Sequence, residues 1–232
     1  MTSYNFEDGN GPVPAHKHSN GGGWVADTAS VADSAYVGPN TLVYDTAQVC
    51  GNARVFGDAQ VCGNARVYGD ARVFDTAQVC GNAQVCGNAR VYGDALVYGD
   101  ARVYGDAQVY GDALVYGDAR VYGDAQVYGD ALVYGDAQVY GDAYVYGNAR
   151  VYGDAYVNIL FSVNRSDGYT FSIFNNKNED GTFEIKITAG CRYFNIEEAR
   201  NHWKNTRGDT PLGEETMDII DYLEKKIKSQ KG

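Results

Sequence analysis

Residues 95–112 read ALVYGD-ARVYGD-AQVYGD, three versions of one six-residue unit placed end to end. Val stands at every sixth position from Val25 to Val157 without interruption, and the residue two places before it is small, usually Ala. A strand turns successive side chains to opposite sides, so Ala and Val share one side of each unit. Gly tolerates positive φ and Asp favours turns, so Gly-Asp ends the strand. The unit predicts a short strand and a corner, repeated around an axis of Val and Ala.

A second period of 18 residues shows how many units make one coil. Leu precedes Val at Leu96, Leu114 and Leu132, and Arg and Gln recur before Val at the same interval. Three units therefore complete a coil, which gives a triangular cross-section with equivalent residues stacked in ladders. No single unit can bury its apolar side alone, so the coils must stack. The run of units predicts an all-β solenoid of seven to eight coils.

The repeated unit resembles the bacterial hexapeptide-repeat transferase family, and that resemblance implies a left-handed parallel β-helix. The opening run GGGWVADTASV (21–31) and the later run ITAGCR (187–192) resemble segments of uncharacterised phage and prophage proteins. These terminal resemblances imply a phage or prophage origin and bring no known activity.

Three segments follow from where the period begins and ends. Residues 1–23 are polar and Gly-rich and predict an irregular arm or N-terminal cap, while residues 24–157 form the β-helix. Residues 158–232 predict a small α+β domain of three strands followed by two helices. The first helix begins after Asn195, a good N-cap residue, and the second carries an apolar stripe near the C-terminus.

The charge of the chain is concentrated in the repeat. The net charge is −11, and residues 24–157 hold 16 Asp against 7 Arg. Such a surface disfavours direct contact with nucleic acid or an anionic membrane and favours cations or basic proteins. The N-terminal residues lack the apolar core of a signal peptide, and no stretch is apolar for long enough to span a membrane. The five Cys lack zinc-type spacing, which predicts free thiols and a cytoplasmic location, the host cytoplasm if a phage encodes the protein.

Enzymes with this repeat depend on residues that the repeat here lacks. An acyltransferase needs a general base, normally His, and the related carbonic anhydrases hold zinc with three His. No His and no extruded loop occur between Val25 and Val157, since the three His are His16, His18 and His202. The sequence therefore predicts no catalytic residue, no metal site and no cofactor.

One cluster in the C-terminal domain has binding chemistry. Arg192, His202, Trp203 and Arg207, with Cys191 and Arg200 nearby, combine guanidinium, imidazole and indole groups. Arginines beside an aromatic ring could hold a phosphate or a nucleotide. The alternative is a small core Trp surrounded by the charges of a helix face.

The outer ladders suggest an interface. Leu96, Leu114 and Leu132 form an apolar stripe on one face, which predicts contact with equivalent faces in a homotrimer, or cover by the C-terminal domain folding back. The Tyr ladders occupy all three faces, which favours shielding of the strands over binding of a sugar or a partner. The Asp ladders on the corners favour turn hydrogen bonds over calcium.

The sequence as a whole favours a non-catalytic structural or interaction protein whose rigid β-helix presents a C-terminal recognition domain, with a host protein as a candidate partner. Three alternatives stay open: an acidic inhibitor that mimics nucleic acid, a sponge for small nucleotides, and a hexapeptide acyltransferase.

Overall fold

The computed structural model describes residues 2–153, 155–157, 160–177, 182–190 and 192–229. Within them a β-hairpin, a long parallel β-helix and a small α+β domain follow one another along the chain. This order places one folded element at each end of the β-helix.

The β-helix has three faces, and each face is a stack of short parallel strands. Face 1 contains Trp24–Ala26, Leu42–Val43, Gln60–Val61, Gln78–Val79, Leu96–Val97, Leu114–Val115, Leu132–Val133 and Arg150–Val151. Face 2 contains Ser30–Val31, Gln48–Val49, Arg66–Val67, Gln84–Val85, Arg102–Val103, Arg120–Val121, Gln138–Val139 and Tyr156–Val157. Face 3 contains Tyr36–Val37, Arg54–Val55, Arg72–Val73, Arg90–Val91, Gln108–Val109, Gln126–Val127 and Tyr144–Val145. The predicted solenoid is confirmed.

The register of the strands follows the 18-residue period. Leu96 pairs with Leu114, and the backbone N–H of Leu96 donates to the carbonyl of Ala113 over 3.0 Å. From Ala35 to Val157 the inward-facing Ala and Val side chains are at most 2% exposed. Each buried Val contributes about 1.5–3 kcal/mol before the entropy of the chain is subtracted. The axis is thus a continuous apolar core.

The corners require the residues that occupy them. Gly99 has a φ of 71°, and a Cβ added there would lie 2.9 Å from the backbone nitrogen of Gly117 on the next coil. Asp75 stands at a corner where most units have Gly, with a φ of 60°. Its carboxylate accepts a hydrogen bond from the N–H of Gly93, and Asp45 forms the same kind of contact. The side-chain hydrogen bond offsets the strain of the left-handed backbone.

Aromatic side chains stack along the outside of each face. The longest column lies on face 3, with ring centroids 4.8–5.4 Å apart and interplanar angles of at most 15°. It contains Phe56, Phe74, Tyr92, Tyr110, Tyr128 and Tyr146. The hydroxyl of Tyr110 donates to Oε1 of Gln126 over 3.2 Å. The rings therefore lie against one another and cover the strands.

Several corner side chains bond to the next coil rather than to their own turn. Nδ2 of Asn88 donates to Oδ1 of Asp106 over 3.0 Å, and Oγ1 of Thr76 donates to Oδ1 of Asp94 over 2.6 Å. Across the described residues, no three or more His, Cys, Asp or Glu side chains are grouped closely enough to hold a metal ion.

The structure corrects the prediction of free thiols at one pair. Cys62 and Cys80 are joined in a disulfide, whereas Cys50 and Cys86 are free. The ladder brings the two Cα atoms to 4.7 Å, within the range of about 4.4–6.8 Å that a disulfide spans. The in-register stacking of the two coils thus places the two sulfurs together.

The N-terminal residues form a β-hairpin that continues the sheet of face 1. Strands Ser3–Asn5 and Pro12–Lys17 pair antiparallel, and Pro12–Lys17 also pairs antiparallel with Trp24–Ala26. Phe6 is buried, and the ring of Tyr4 stacks on that of Trp24 at 4.5 Å. The hairpin covers the free edge of face 1, an edge that would otherwise be open to pairing with another chain.

The C-terminal domain is an antiparallel sheet covered by two helices. The strands are Leu160–Asn164, Thr170–Lys177, Phe183–Ala189 and Arg192–Asn195. The sequence predicted only three strands. It did not indicate the fourth, because the four residues of that strand lead directly into the helix cap and show no strand pattern of their own. Helix α1 covers Ile196–Arg207 and α2 covers Pro211–Ser229. Neither described helix is both long and apolar enough to cross a membrane.

The domain packs on the last coil. Phe174 is fully buried and belongs to the core of the β-helix, where it also contacts Tyr193. The hydroxyl of Tyr146 donates to the carbonyl of Ser162 over 3.2 Å. The principal contacts from the sheet go to strands Tyr144–Val145 and Tyr156–Val157, which lie on faces 3 and 2. The domain therefore closes the end of the axis.

Candidate functional site

The end of the last strand and the start of helix α1 fix the position of the candidate site. Asn195 caps α1: its Oδ1 accepts the N–H of Glu198, and the Glu198 carboxylate accepts the N–H of Asn195, both over 2.8 Å. This reciprocal pair satisfies two backbone donors at the helix start. Strand and helix are thus joined without a loop, which holds Arg192 on the strand against His202 on the helix.

All four residues predicted as a ligand site line one pocket with a volume of about 370 Å³. Arg192 comes from the fourth strand, and His202, Trp203 and Arg207 come from α1. Every residue lining the pocket belongs to the C-terminal domain, and the set is Arg165, Asp167, Tyr169, Arg192, His202, Trp203, Thr206 and Arg207. Binding itself stays a prediction.

Arg165 is a buried cation that builds one wall. Its side chain is 1% exposed and forms two hydrogen bonds to the Asp167 carboxylate, at 3.0 and 2.7 Å. A further guanidinium N–H donates to Oγ1 of Thr216 in α2 over 2.9 Å, and the group lies 5.3 Å from the Trp203 ring centroid. The hydrogen bonds from Arg165 lower the pKa of Asp167 to about 2. The Arg165 charge is therefore balanced within the wall.

Arg192 and His202 contact each other at the mouth. Nη1 of Arg192 lies within hydrogen-bonding distance of the imidazole, and the ring stacks on Phe194 with centroids 5.1 Å apart. Burial, followed by the positive charge of Arg192, lowers the pKa of His202. The lowered pKa favours the neutral imidazole, whose ring nitrogen can accept the N–H of Arg192.

Trp203 forms the floor. It is 5% exposed and packs edge-on against Tyr169, with ring centroids 5.8 Å apart. Its Nε1 is buried and has no hydrogen-bond partner among the described residues. A buried indole N–H without an acceptor is costly, and most such groups find one.

The alternative interpretation, a core Trp beside surface charges, accounts for Arg200 but not for the pocket. Arg200 forms ion pairs with Asp221 and Glu224 of α2 and does not line the pocket. Cys191, the other residue of the predicted cluster, lies outside the described residues.

Comparison with known proteins agrees with this architecture. A model of the YdcK β-solenoid repeat family matches eight overlapping segments of the chain, at 47–63, 59–75, 83–99, 95–111, 107–123, 125–141, 137–153 and 143–158. This chain is a hexapeptide-repeat β-helix protein. The hexapeptide-repeat β-helix predicted from the six-residue unit is confirmed.

A solved structure of a hexapeptide transferase family protein from Anaplasma phagocytophilum superposes on this hexapeptide-repeat protein with a TM-score of 0.47. The sequence identity is 15%, over 84% of this chain and 95% of that one. The search of curated proteins gives no match.

Sequence reasoning missed four lining residues of this hexapeptide-repeat protein: Arg165, Asp167, Tyr169 and Thr206. Three of them lie in or next to the turn at 165–168, more than 20 residues before Arg192 along the chain. The sequence did contain one signal for them, the Arg-x-Asp-Gly turn at 165–168. In such a turn the carboxylate can form an ion pair with the Arg two residues before it.

The predicted interface residues Leu96, Leu114 and Leu132 form a continuous column on face 1 and are half-buried. Their ladder pairs are in register, and Gln60 and Gln78 occupy the same column nearer the N-terminus. The sheet of the C-terminal domain makes its principal contacts on the other two faces. The leucine column therefore lies on the side of the β-helix, away from the main contacts of the C-terminal domain.

Proposed function

We propose that this hexapeptide-repeat protein is a non-catalytic binding protein, in which the rigid β-helix presents a C-terminal domain that binds an anionic group. The observation that carries the proposal is a pair of arginines without acidic partners beside a pocket. Neither Arg192 nor Arg207 forms an ion pair within the described chain, and Asp167 is committed to Arg165.

The charge balance supports an anion. The pocket is lined by three arginines against one acidic residue, Asp167, so its lining is positively charged although the chain as a whole carries −11. Guanidinium groups bind carboxylate and phosphate through paired hydrogen bonds, and the planar fork of Arg is suited to both oxyanions.

The floor of the pocket supports a ligand with an acceptor atom. Trp203 supplies a buried N–H that has no partner among the described residues, whereas the Thr206 hydroxyl at the same pocket donates to the carbonyl of His202 over 2.8 Å. Arginine and indole donors at one pocket match the oxygens of a phosphate group, as in a phosphate ester or nucleotide.

The experiment is titration calorimetry of the full chain with pyrophosphate and ATP. We expect binding that weakens at least tenfold in Arg192→Gln and in Arg207→Gln. Arg102→Gln on face 2 removes the same charge from an exposed site on the helix and should leave the affinity unchanged. Absence of binding at millimolar concentration, or equal affinity in all three variants, would contradict the proposal.

We further propose that the chain assembles as a homotrimer through the column of Leu96, Leu114 and Leu132. Half-exposed leucines stacked on one face are typical of a surface that another molecule covers. A phage or prophage origin, and a host protein as the partner, stay predictions from the terminal motifs.

Light scattering coupled to size exclusion tests the assembly. We expect about three times the chain mass of 25.2 kDa. Changing all three leucines to Gln should give the single-chain mass without unfolding, because Gln60 and Gln78 already occupy that column. A wild-type monomer would refute the trimer and leave the anion site untouched.

A further inference from the structure

The N-terminal hairpin and the first coils enclose a pocket of about 560 Å³. It is larger than the pocket lined by Arg192 and Arg207, called the arginine pocket below. The lining residues are Phe6, Asp8, Asn10, Val13, Pro14, Asp27, Thr28, Tyr44, Asp45 and Thr46. This volume lies within the range of about 300–1,000 Å³ typical of small-molecule sites. The pocket is at the opposite end of the β-helix from the arginine pocket and shares no residue with it.

An aromatic floor is built across two parts of the chain. Phe6 of the hairpin is 3% exposed, and its ring stacks on Tyr44 of face 1 with centroids 5.1 Å apart and planes 24° apart. Val13 and Pro14 extend the apolar surface from the second hairpin strand. Such a surface favours the apolar body of a ligand.

The rim carries charge of one sign. Asp8, Asp27 and Asp45 line the pocket, and no Lys or Arg does. Burial raises the pKa of Tyr44, and the negative charges of Asp45 and Asp8 raise it further, so both carboxylates act on the ring that forms the floor. A cation placed over this aromatic ring would be attracted both by the face of the ring and by the charges of the neighbouring carboxylates.

The neighbours of these three carboxylates occupy only some of their hydrogen-bond acceptor positions. Asp8 accepts the backbone and side-chain N–H groups of Asn10, at 2.9 and 3.0 Å, and both donors are neutral. Asp27 contacts His16 over 2.8 Å, and Asp45 accepts the N–H of Gly63 over 2.9 Å. An ionised carboxylate has about four acceptor positions, so each retains some for a ligand.

We propose that this pocket binds a small organic cation, an amine with an apolar or aromatic body. The body would lie on Phe6 and Tyr44, and the ammonium group would be held by Asp8, Asp27 and Asp45. The negative rim favours a cation over a neutral or anionic ligand, and the apolar floor favours an organic amine over a metal ion.

The test compares three probes of similar shape with the full-length protein. Phenethylamine carries a positive charge, 2-phenylethanol is neutral and 3-phenylpropionate is negative. We expect the amine to bind and to shift the NMR signals of the hairpin and of Tyr44, the alcohol to bind at least tenfold more weakly, and the acid to cause no shift. Equal binding of the amine and the alcohol, or binding of none, would overturn the proposal without requiring any variant.

Variants then locate the site. Asp8→Asn and Asp27→Asn remove rim charges while preserving side-chain size, and each should weaken amine binding at least threefold. Asp118→Asn removes the same charge from an exposed corner midway along the helix and should change nothing. Amine affinity that falls equally in Asp118→Asn would indicate attraction by the whole acidic surface and would also overturn the proposal. Pyrophosphate binding at the arginine pocket should be unaffected in all of these variants, which separates the two sites.

Discussion

The β-helix and the C-terminal domain are built on opposite principles. In the β-helix each residue contacts copies of itself 18 positions away, so Leu96 pairs with Leu114 and Leu114 with Leu132. In the C-terminal domain the decisive contacts occur once and join distant residues, such as Arg165 with Thr216 and Ser166 with Glu215. The first principle spreads stability over equivalent layers, while the second concentrates it in a few positions.

This difference between the two regions indicates which parts of the molecule can form a unique binding site. A ladder repeats whatever chemistry it carries, so it cannot easily make one unique site. The pocket lined by Arg192 and Arg207 and the pocket proposed to bind an amine both lie where the repeat ends, within residues 165–207 and 6–46 respectively. The predictions below challenge this contrast, beginning with the largest expected effect.

Truncation of the C-terminal core should unfold one region and spare the other. Phe171 is fully buried against Trp203, so Phe171→Ala should cost the domain about 3–5 kcal/mol. Calorimetry should show the transition of the domain moving to lower temperature and that of the β-helix staying in place. Val109→Ala in a central coil is the matched truncation, and it should move only the transition of the helix. One transition that shifts as a whole in both variants would show that the regions unfold together.

Loss of the buried guanidinium should be the next largest effect. Arg165→Met keeps the apolar stem and removes the hydrogen bonds to Asp167 and Thr216, which should cost the domain about 1.5–3 kcal/mol. Arg102→Met on face 2 removes an exposed Arg from the helix and should change stability by less than about 0.5 kcal/mol. Urea unfolding measures both, and equal effects would erase the contrast.

A methyl group at a corner should distinguish inner coils from the last one. Gly99 and Gly147 both have positive φ, but a Cβ at Gly99 meets the next coil and one at Gly147 has nothing within 4 Å. Gly99→Ala should therefore destabilise the helix by about 1–3 kcal/mol, and Gly147→Ala by less, since only the backbone strain applies there. Equal losses in thermal unfolding would indicate that backbone conformation alone selects Gly.

Acid should act on the C-terminal domain through Asp167. The folded-state pKa of Asp167 is about 2, below its ordinary value of 3.8, so the folded state favours the carboxylate. Its contribution is present above about pH 4 and is lost as the pH falls toward 2. Asp167→Asn should be less stable than wild type at pH 7, and the two should converge as the pH approaches 2. A constant difference over this range would disprove the assignment, and Asp118→Asn serves as the control in the helix.

The same contrast decides how much could be predicted from the sequence. The strands, faces and ladders of the β-helix follow from two periods, Val at every sixth residue and Leu at every eighteenth. The left-handed winding does not follow from these periods and was predicted from the family resemblance alone. The N-terminal hairpin has no such period: Tyr4, Phe6 and Val13 are three apolar residues in a polar segment. Their role becomes clear only when the free edge of Trp24–Ala26 is seen.

Site residues that lie close together in the sequence could be predicted, whereas those that the fold brings together from distant positions could not. Arg192, His202, Trp203 and Arg207 lie close together in sequence, so their chemistry could be recognised together. Arg165 enters the pocket through the antiparallel pairing of strands, which no local pattern records. The Cys62–Cys80 bond was not predicted because the spacing places the two side chains next to each other on one face but does not give their torsion angles.

The identical coils make the length of this protein adjustable in fixed steps. Aromatic rings one coil apart lie about 4.8–5.0 Å from each other, so removing 18 residues would shorten the molecule by one such step. The two terminal pockets would keep the same faces, because every remaining strand would meet an equivalent neighbour. Removing six residues would instead rotate one pocket against the other by a third of a turn. The separation and the orientation of the two ends are therefore linked: whole coils change the separation alone, whereas single units change both.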